Sequence, residues 1–182
     1  VFYMYRNFEN LWSLNYRKPN KGDVRLDNGS RDTIWATMIV KRFGSRVYST
    51  DISSEFFDTQ KYFLSNIGEQ KCLGKVFFIK KEDATKLSFK NESFDKITAI
   101  SIIEHIPGEG DIRAVKEFER VVKKGGYVII TAPFGPEFNE RNSDYYGGYE
   151  KRYDYNNLES RIIKSSGLKL RELAFINGNR QF

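Results

Sequence analysis

The stretch DATKLSFKNESFDKITAISIIEHIPGEGDIRAVKEFERVVKKGGYVIITAPFG, residues 83–135, decides the fold. It joins a strand pattern (94–101) to an amphipathic helix pattern (111–123) that Gly125 ends, and then to a nearly continuous apolar run (127–132). A strand, a helix and a second strand in this order predict parallel strands that are joined by a crossover helix. The apolar run YVIITA is typical of a strand that is buried on both faces of a sheet.

The same alternation of strand and helix patterns extends outwards in both directions. Towards the amino end lie three strand patterns and two helix patterns, at 24–27, 33–43, 46–50, 53–66 and 75–80. Towards the carboxyl end lie a polar loop, a helix pattern and a last strand pattern, at 134–152, 154–166 and 168–176. We therefore predict an α/β fold, a Rossmann-like, doubly wound and mainly parallel sheet with helices on both faces. Residues 1–22 are predicted to be an aromatic-rich lead-in, and residues 23–182 a single domain.

Composition limits the classes of protein to which this chain can belong. A length of 182 residues suits one domain. The one cysteine, Cys72, can form no internal disulfide, and no Cys/His set has zinc spacing. We therefore expect no metal site and a reducing, cytoplasmic location. No apolar run has the length of a membrane span. The net charge of +6 comes from scattered basic residues, so we expect a solvated surface and neither a DNA nor an RNA partner.

The loops that follow the predicted strands indicate the kind of ligand. In an open parallel sheet, ligands bind beyond the carboxyl ends of the strands. Four of the five loops there carry carboxylates, namely Asp27, Asp51, Asp83 and Glu104. No loop has the glycine-rich pattern that cradles phosphates, because Arg31 and Ile34 stand where glycines would follow Gly29. Asp51 lies 22 residues after Gly29, about the spacing of an acidic residue that binds ribose hydroxyls. A cationic nucleoside without phosphates, such as S-adenosylmethionine, fits this rim of carboxylates.

Taken together, these residues resemble the class I S-adenosylmethionine-dependent methyltransferases of the small-molecule type (methyltransferase domain 11-like). The shared elements, in the order of the family, are Asp83-Ala84, Leu87-Ser88-Phe89, Ser93-Phe94-Asp95, Glu104-His105, the turn from Arg120 to Gly126, and Ala132-Pro133. The resemblance covers residues 24–176. It implies S-adenosylmethionine as the cofactor and methyl transfer to a small-molecule or lipid-like acceptor.

The resemblance also implies roles for cofactor-binding residues. Gly29 would be the turn glycine, and Asp27 would organise its loop. Asp51 would hold the ribose hydroxyls. Asp83 would meet the adenine amino group beside the backbone N–H of Ala84. Three of these residues have plainer alternatives: a tight Asn-Gly turn for Gly29, an acidic helix cap for Asp51 and an ordinary loop residue for Asp83.

Glu104 and His105, the only histidine of the chain, are the candidate catalytic residues. Histidine titrates near neutrality and so can act as a general base. The alternative is a loop histidine that is bonded to the backbone. Four tyrosines of the long loop and its end either cover the acceptor or pack on the surface, namely Tyr145, Tyr146, Tyr149 and Tyr153.

Two departures from the family pattern bear on function. The family has Asp-x-Gly-x-Gly-x-Gly after its first strand, whereas this chain keeps Asp27 and Gly29 only. Arg31 replaces the second glycine, and its side chain would crowd the cofactor unless the loop is redrawn. Asp32 has no counterpart in the family and is interpreted as a helix N-cap or a partner of Arg31. The last antiparallel strand of the family is predicted to be missing or incomplete.

The sequence leaves three alternatives to methyl transfer to a small molecule or lipid. The main alternative is a methyltransferase-like binding or regulatory module in which the Arg31 loop has weakened or lost cofactor binding. The missing glycines argue against a nicotinamide-dependent oxidoreductase. An RNA methyltransferase is disfavoured because Glu104-His105-Ile106-Pro107 stands where an amino-methylating motif would follow the fourth strand. The acceptor and the oligomeric state are left open.

Overall fold

The computed structural model describes residues 20–31, 34–142 and 148–175. A central sheet of five strands runs through them: β1 (Val24–Asn28), β2 (Arg46–Asp51), β3 (Phe77–Lys81), β4 (Phe94–Ile100) and β5 (Val122–Thr131). Their order across the sheet is β3-β2-β1-β4-β5, and every neighbouring pair is parallel. The order changes direction between β1 and β4, so a crevice opens there at the carboxyl edge.

Helices connect the strands and cover the sheet. They are α1 (Trp35–Phe43), α2 (Phe56–Asn66), α3 (Gly110–Val121) and the short α4 (Tyr155–Asn157), which continues as a π-helix (Leu158–Ile163). Two 3₁₀ turns span Gln70–Cys72 and Ile103–His105. The apolar residues of α3 recur every three or four positions, which places them on the side that faces the sheet.

Two apolar clusters lie on opposite faces of the sheet. Successive strand residues point to opposite faces, so Val47 and Tyr48 of β2 belong to different clusters. The cluster around Val47 holds α1 and α2, with Trp35, Ala36, Ile39, Val40, Leu64 and Phe77. The cluster around Tyr48 holds α3 and the π-helix, with Leu26, Ile97, Val115, Phe118, Val121 and Ile162 among its members. The predicted doubly wound, Rossmann-like α/β fold is thereby confirmed.

Several predicted boundaries were wrong. The helix that was predicted to end at Gly125 ends at Val121, and β5 begins at Val122. Val122 pairs with Phe94, and an irregularity then shifts the register so that Tyr127 pairs with Lys96. The helix predicted from Ser53 begins at Phe56.

The carboxyl-terminal part of the chain differs most from the prediction. The predicted loop 134–152 contains two short antiparallel strands, β6 (Asn139–Arg141) and β7 (Glu150–Arg152). A strand was predicted at 168–176. Its described part, residues 168–175, forms no strand, because its backbone has no neighbouring strand to pair with. The outer edge of β5 is likewise unpaired by any strand of the described ranges. Residues 1–19 of the predicted lead-in lie outside the described residues.

Across the described ranges, no helix combines the length and the apolar character needed to cross a membrane.

Candidate functional site

A pocket of about 240 Å³ opens at the carboxyl edge of the sheet, where the strand order changes direction. This volume is slightly below the range of about 300–1,000 Å³ that is usual for small-molecule sites. Four loops line it, with Asn28, Gly29 and Arg31 after β1, Asp51 and Ile52 after β2, Glu82, Asp83 and Ala84 after β3, and Ser101, Ile102, His105, Ile106 and Pro107 after β4. Five of the seven predicted site residues therefore line one pocket, namely Gly29, Asp51, Asp83, Ala84 and His105.

Gly29 shapes the floor of the pocket. Its φ of 77° lies in the left-handed region, and a Cβ at this position would stand 2.0 Å from Cγ2 of Ile102. Its backbone N–H donates to the carbonyl of Thr50 (2.8 Å), as does that of Ser30 (3.0 Å). The loop after β1 is thus fixed to the end of β2, and it touches the loop after β4 so closely that only glycine fits.

Asp27 lies beneath the pocket and does not line it. Its carboxylate is buried and accepts hydrogen bonds from Ser30 Oγ (2.7 Å) and Thr98 Oγ1 (2.8 Å). These two bonds tie the loop after β1 to β4. This position agrees with the organising role that the resemblance implies.

The Arg31 loop is redrawn rather than blocked. Arg31 has a φ of 33°, its N–H donates to Asp51 Oδ2 (3.1 Å), and its carbonyl accepts from Gln60 Nε2 (3.1 Å). The backbone is therefore turned towards β2 and α2, and the exposed Arg31 stands at the rim of an open pocket. Asp32, interpreted from the sequence as a helix N-cap or a partner of Arg31, lies outside the described residues.

Asp51 is oriented by two backbone groups. Oδ2 accepts from the N–H of Arg31, and Oδ1 accepts from the N–H of Ser53 (3.0 Å). Each carboxylate oxygen has two lone pairs, so both oxygens retain capacity for a further donor such as a hydroxyl. The helix-cap alternative does not describe this arrangement, because α2 begins only at Phe56.

The loop after β3 supplies two neighbouring carboxylates. Asp83 is exposed, and its Oδ1 accepts from both the N–H and the hydroxyl of Thr85 (2.8 Å each), which leaves Oδ2 for a ligand. Glu82 is buried and bonds to Lys80 Nζ (2.6 Å) and Ser88 Oγ (2.5 Å). Burial alone would raise the pKa of Glu82, but the hydrogen bonds from Lys80 and Ser88 outweigh it and keep that pKa below its usual value.

His105 is bonded to the backbone, as its plainer alternative supposed. Nδ1 lies 2.9 Å from the carbonyl oxygen of Tyr149, and because that oxygen can only accept, Nδ1 carries the proton in this bond. Glu104 is buried and does not line the pocket; its Oε1 lies 3.8 Å from Nε2 of His105. The structure therefore places only one of the two candidate catalytic residues at the pocket.

Tyr153 neither covers the pocket nor packs on the surface, the two alternatives considered for it. Its side chain is fully buried in the core and donates its hydroxyl hydrogen to Asp111 Oδ2 (2.9 Å). Burial and the adjacent Asp111 raise the pKa of Tyr153 well above its usual value. Tyr149 meets the pocket wall through its carbonyl bond to His105. Tyr145 and Tyr146 lie outside the described residues.

Several residues that line the pocket were not predicted from the sequence. Apolar side chains form much of the wall, namely Ile52, Ile102, Ile106 and Pro107, while Asn28, Glu82 and Ser101 add polar groups. One signal was available: Asn28, Ile52 and Glu82 each adjoin a predicted site residue. Ser101, with a φ of 50°, is a strained residue that sequence patterns do not mark.

The chemistry of the lining suits a positively charged ligand that lacks phosphates. The lining holds three carboxylates, from Asp51, Glu82 and Asp83, and one guanidinium, that of Arg31. Glu82 is paired with Lys80, so Asp51 and Asp83 give the lining its excess of negative charge. Within the described residues, no group of three or more His, Cys, Asp or Glu side chains could hold a metal ion. The narrow approach at Gly29 and the free Oδ2 of Asp83 are features that S-adenosylmethionine would fit.

A profile of the family described as "Methyltransferase domain" matches residues 26–130. That range contains all four loops of the pocket. No curated protein matches the chain significantly in sequence.

Many solved structures share the architecture. A candidate methyltransferase from Bacillus halodurans C-125 is 16% identical, with a TM-score of 0.69, over 90% of this chain and 70% of that one. The (4+2)-cyclase SpnF is 17% identical, with a TM-score of 0.70, over 88% of this chain and 57% of that one. Geranyl diphosphate C-methyltransferase from Streptomyces coelicolor A3(2), solved with Mg²⁺, geranyl diphosphate and S-adenosyl-L-homocysteine, is 16% identical, with a TM-score of 0.56, over 68% of this chain and 44% of that one. This chain thus spans about half the length of the last two proteins. At these identities the likeness establishes a shared fold.

Proposed function

We propose that this chain, which belongs to the class I S-adenosylmethionine-dependent methyltransferase family, transfers the methyl group of S-adenosylmethionine to a small-molecule or lipid-like acceptor. One observation carries the proposal. Gly29, Asp51, Asp83 and Ala84, which come from three separate loops, meet in one pocket that has carboxylates and no phosphate cradle. Fold alone would not support an activity, because one fold hosts many functions.

The proposed binding mode assigns each side of the pocket to one part of the cofactor. Asp51, held by two backbone N–H groups, would accept hydrogen bonds from the ribose hydroxyls. Asp83 Oδ2 would accept from the adenine amino group, next to Ala84. The Gly29 turn would face the methionine part.

When bound, S-adenosylmethionine supplies a methyl group on a sulfonium, which is already an activated leaving group. The residues of the chain then need mainly to align the acceptor and to exclude water. Ile102, Ile106 and Pro107 provide an apolar wall for this purpose. His105 is the proposed general base for acceptors that must lose a proton. Its Nδ1 carries the proton that is bonded to the carbonyl of Tyr149, so Nε2 is the nitrogen that can accept one.

An exposed aromatic pair outside the pocket lining is a candidate surface for an apolar acceptor. Phe134, which follows β5, contacts Phe175 with ring centroids 4.5 Å apart, and about half of each side chain is exposed. Exposed apolar groups that adjoin one another often mark a binding surface. The geranyl diphosphate C-methyltransferase, which shares the fold, was solved with geranyl diphosphate bound.

The second candidate is a binding or regulatory module that does not hold the cofactor. It is favoured by the Arg31 loop, whose N–H uses one of the acceptor positions of Asp51 in the proposed ribose site. The cyclase SpnF also shares this fold.

Calorimetry with S-adenosylhomocysteine, the product form of the cofactor, tests the proposal. We expect the wild-type protein to bind it and Asp51→Asn to weaken binding about 10- to 100-fold, because a hydrogen bond to a charged group contributes roughly 1.5–3 kcal/mol. The matched control is Asp58→Asn, at a side chain on α2 that is 94% exposed; its affinity should equal that of the wild type. A wild-type protein that gives no heat with this ligand would support the module instead.

A further inference from the structure

Residues between 149 and 161 form hydrogen bonds with the segment that provides one wall of the pocket. Nδ1 of His105 meets the carbonyl of Tyr149, the carbonyl of Ile106 accepts a close hydrogen bond from Lys151 Nζ, and the carbonyl of Gly108 accepts from Arg161 Nη2 (2.7 Å). His105 and Ile106 line the pocket. The segment 105–108 is therefore hydrogen-bonded at three positions, to Tyr149, to Lys151 of β7 and to Arg161 of the π-helix.

Lys151 and Arg161 are joined through one buried carboxylate. Lys151 Nζ lies 3.2 Å from Asp111 Oδ1, and Arg161 donates to both Asp111 oxygens, from Nη2 (2.8 Å) and Nε (2.9 Å). Lys151 and Asp111 are fully buried. Burial alone would raise the pKa of Asp111, but Arg161, Lys151 and Tyr153 hold it below its usual value, so the carboxylate is ionised. Burial lowers the pKa of Lys151, although Asp111 opposes this effect.

Burial of a lysine costs free energy, because its charged group is removed from water. Apolar residues of similar volume often replace buried ion pairs with no loss of stability, so stability alone does not account for Lys151. An apolar side chain could not donate the hydrogen bond that Lys151 makes to the carbonyl of Ile106. That bond fixes the backbone of a pocket-lining residue.

The wall has little room to move once it is fixed. Ile106 packs directly on the first turn of α3, where a Cβ at Gly110 would stand 2.0 Å from Ile106 Cγ2. The N–H of Gly110 donates to the carbonyl of Pro107 (3.0 Å). Ile106 is therefore held between α3 on one side and Lys151 on the other.

We propose that Lys151 is a positioning residue, which fixes the Ile106–Pro107 wall of the pocket to the small antiparallel sheet of β6 and β7. In this role it links that sheet to the pocket, so that changes at either place alter the other. The inference rests on the proposed function where it concerns the cofactor. Couplings between sites commonly correspond to roughly 5- to 150-fold changes in affinity.

The test compares three variants of the whole chain. Lys151→Met removes the bond and the charge, Lys151→Gln keeps a donor for the carbonyl of Ile106, and Lys164→Met is the matched control at an exposed lysine. We expect Lys151→Met to weaken the binding of S-adenosylhomocysteine about tenfold, Lys151→Gln to restore most of the affinity, and the control to match the wild type.

The single histidine gives a readout that does not depend on the ligand. His105 is the only histidine, so its imidazole NMR signals report the position of the wall without ambiguity. We expect Lys151→Met to shift these signals and Lys151→Gln to shift them less. Should Lys151→Met not fold, Arg161→Lys, which keeps a positive charge beside Asp111 but loses the forked contact with Asp111 and Gly108, serves in its place and should shift the same signals.

The outcomes separate this inference from the proposed function. Unchanged His105 signals in a folded Lys151→Met protein overturn the positioning role, as does a Lys151→Gln protein that is as impaired as Lys151→Met. A wild-type protein that does not bind S-adenosylhomocysteine overturns the proposed function, and the His105 signals then decide the positioning role alone.

Discussion

Replacement of Gly29 by alanine is expected to abolish measurable binding of S-adenosylhomocysteine and to lower the free energy of unfolding by about 2–5 kcal/mol. The left-handed backbone costs an alanine roughly 1–2 kcal/mol. The added Cβ would also stand 2.0 Å from Ile102 Cγ2, and such overpacking typically costs a further 1–3 kcal/mol or so. Since Ile102 lines the pocket, relief of this overlap must move a wall of the site. Calorimetry and urea unfolding measure the two effects.

Gly68→Ala separates backbone strain from the overlap with Ile102. Gly68 has a φ of 72°, close to that of Gly29, but a Cβ there would meet no atom within 4 Å. We expect this control to lose about 1–2 kcal/mol of stability and none of the affinity. If the alanine variant at Gly29 bound the ligand as tightly as the control does, the loop after β1 would not contact the loop after β4 as the structure has it.

Replacement of Asp111 by asparagine is expected to lower the free energy of unfolding by about 3–5 kcal/mol at neutral pH. The change keeps the shape of the side chain but leaves Lys151 and Arg161 without their shared anion, and an uncompensated buried charge is costly. Asp58→Asn, at an exposed aspartate, is the control and should change stability by less than about 0.5 kcal/mol. Urea unfolding followed by circular dichroism gives the comparison.

The difference in stability between the wild type and the Asp111→Asn variant should depend on pH. The pKa of Asp111 is lower in the folded protein than its ordinary value, near 3.9 in the unfolded chain. Its stabilising contribution is therefore fully present above that ordinary value and is lost as the pH falls through the lowered folded pKa. The stability difference between wild type and the asparagine variant should be constant between about pH 5 and pH 7 and should shrink below about pH 4. A difference that stays constant down to pH 2 would show that Asp111 does not act through its charge.

The sheet and the floor of the pocket could be predicted because both depend on local patterns. Strand patterns marked all five strands of the sheet, and the positions just after the first three placed Gly29, Asp51 and Asp83 at one edge. The backbone of Arg31 could not be predicted, because its course depends on Gln60 and Asp51, which are distant in sequence.

The small antiparallel sheet escaped prediction for a different reason. Its strands read NER and EKR, and no alternation of apolar and polar residues marks them. Lysine is rarely buried unless it is paired, so nothing local indicated that Lys151 would be enclosed. Its partner Asp111 belongs to another element, and only the tertiary structure brings the two together.

The assembly of the pocket from four loops has a thermodynamic consequence. The lining residues extend from Asn28 to Pro107 and meet only when the parallel sheet has formed, so the unfolded chain has no such site. A ligand that enters the pocket therefore binds the native state alone and displaces the folding equilibrium by mass action. At a free concentration of one hundred times its dissociation constant, such a ligand adds about 2.7 kcal/mol to stability. Occupancy can accordingly be followed as a rise in melting temperature, even for a compound whose chemistry is unknown.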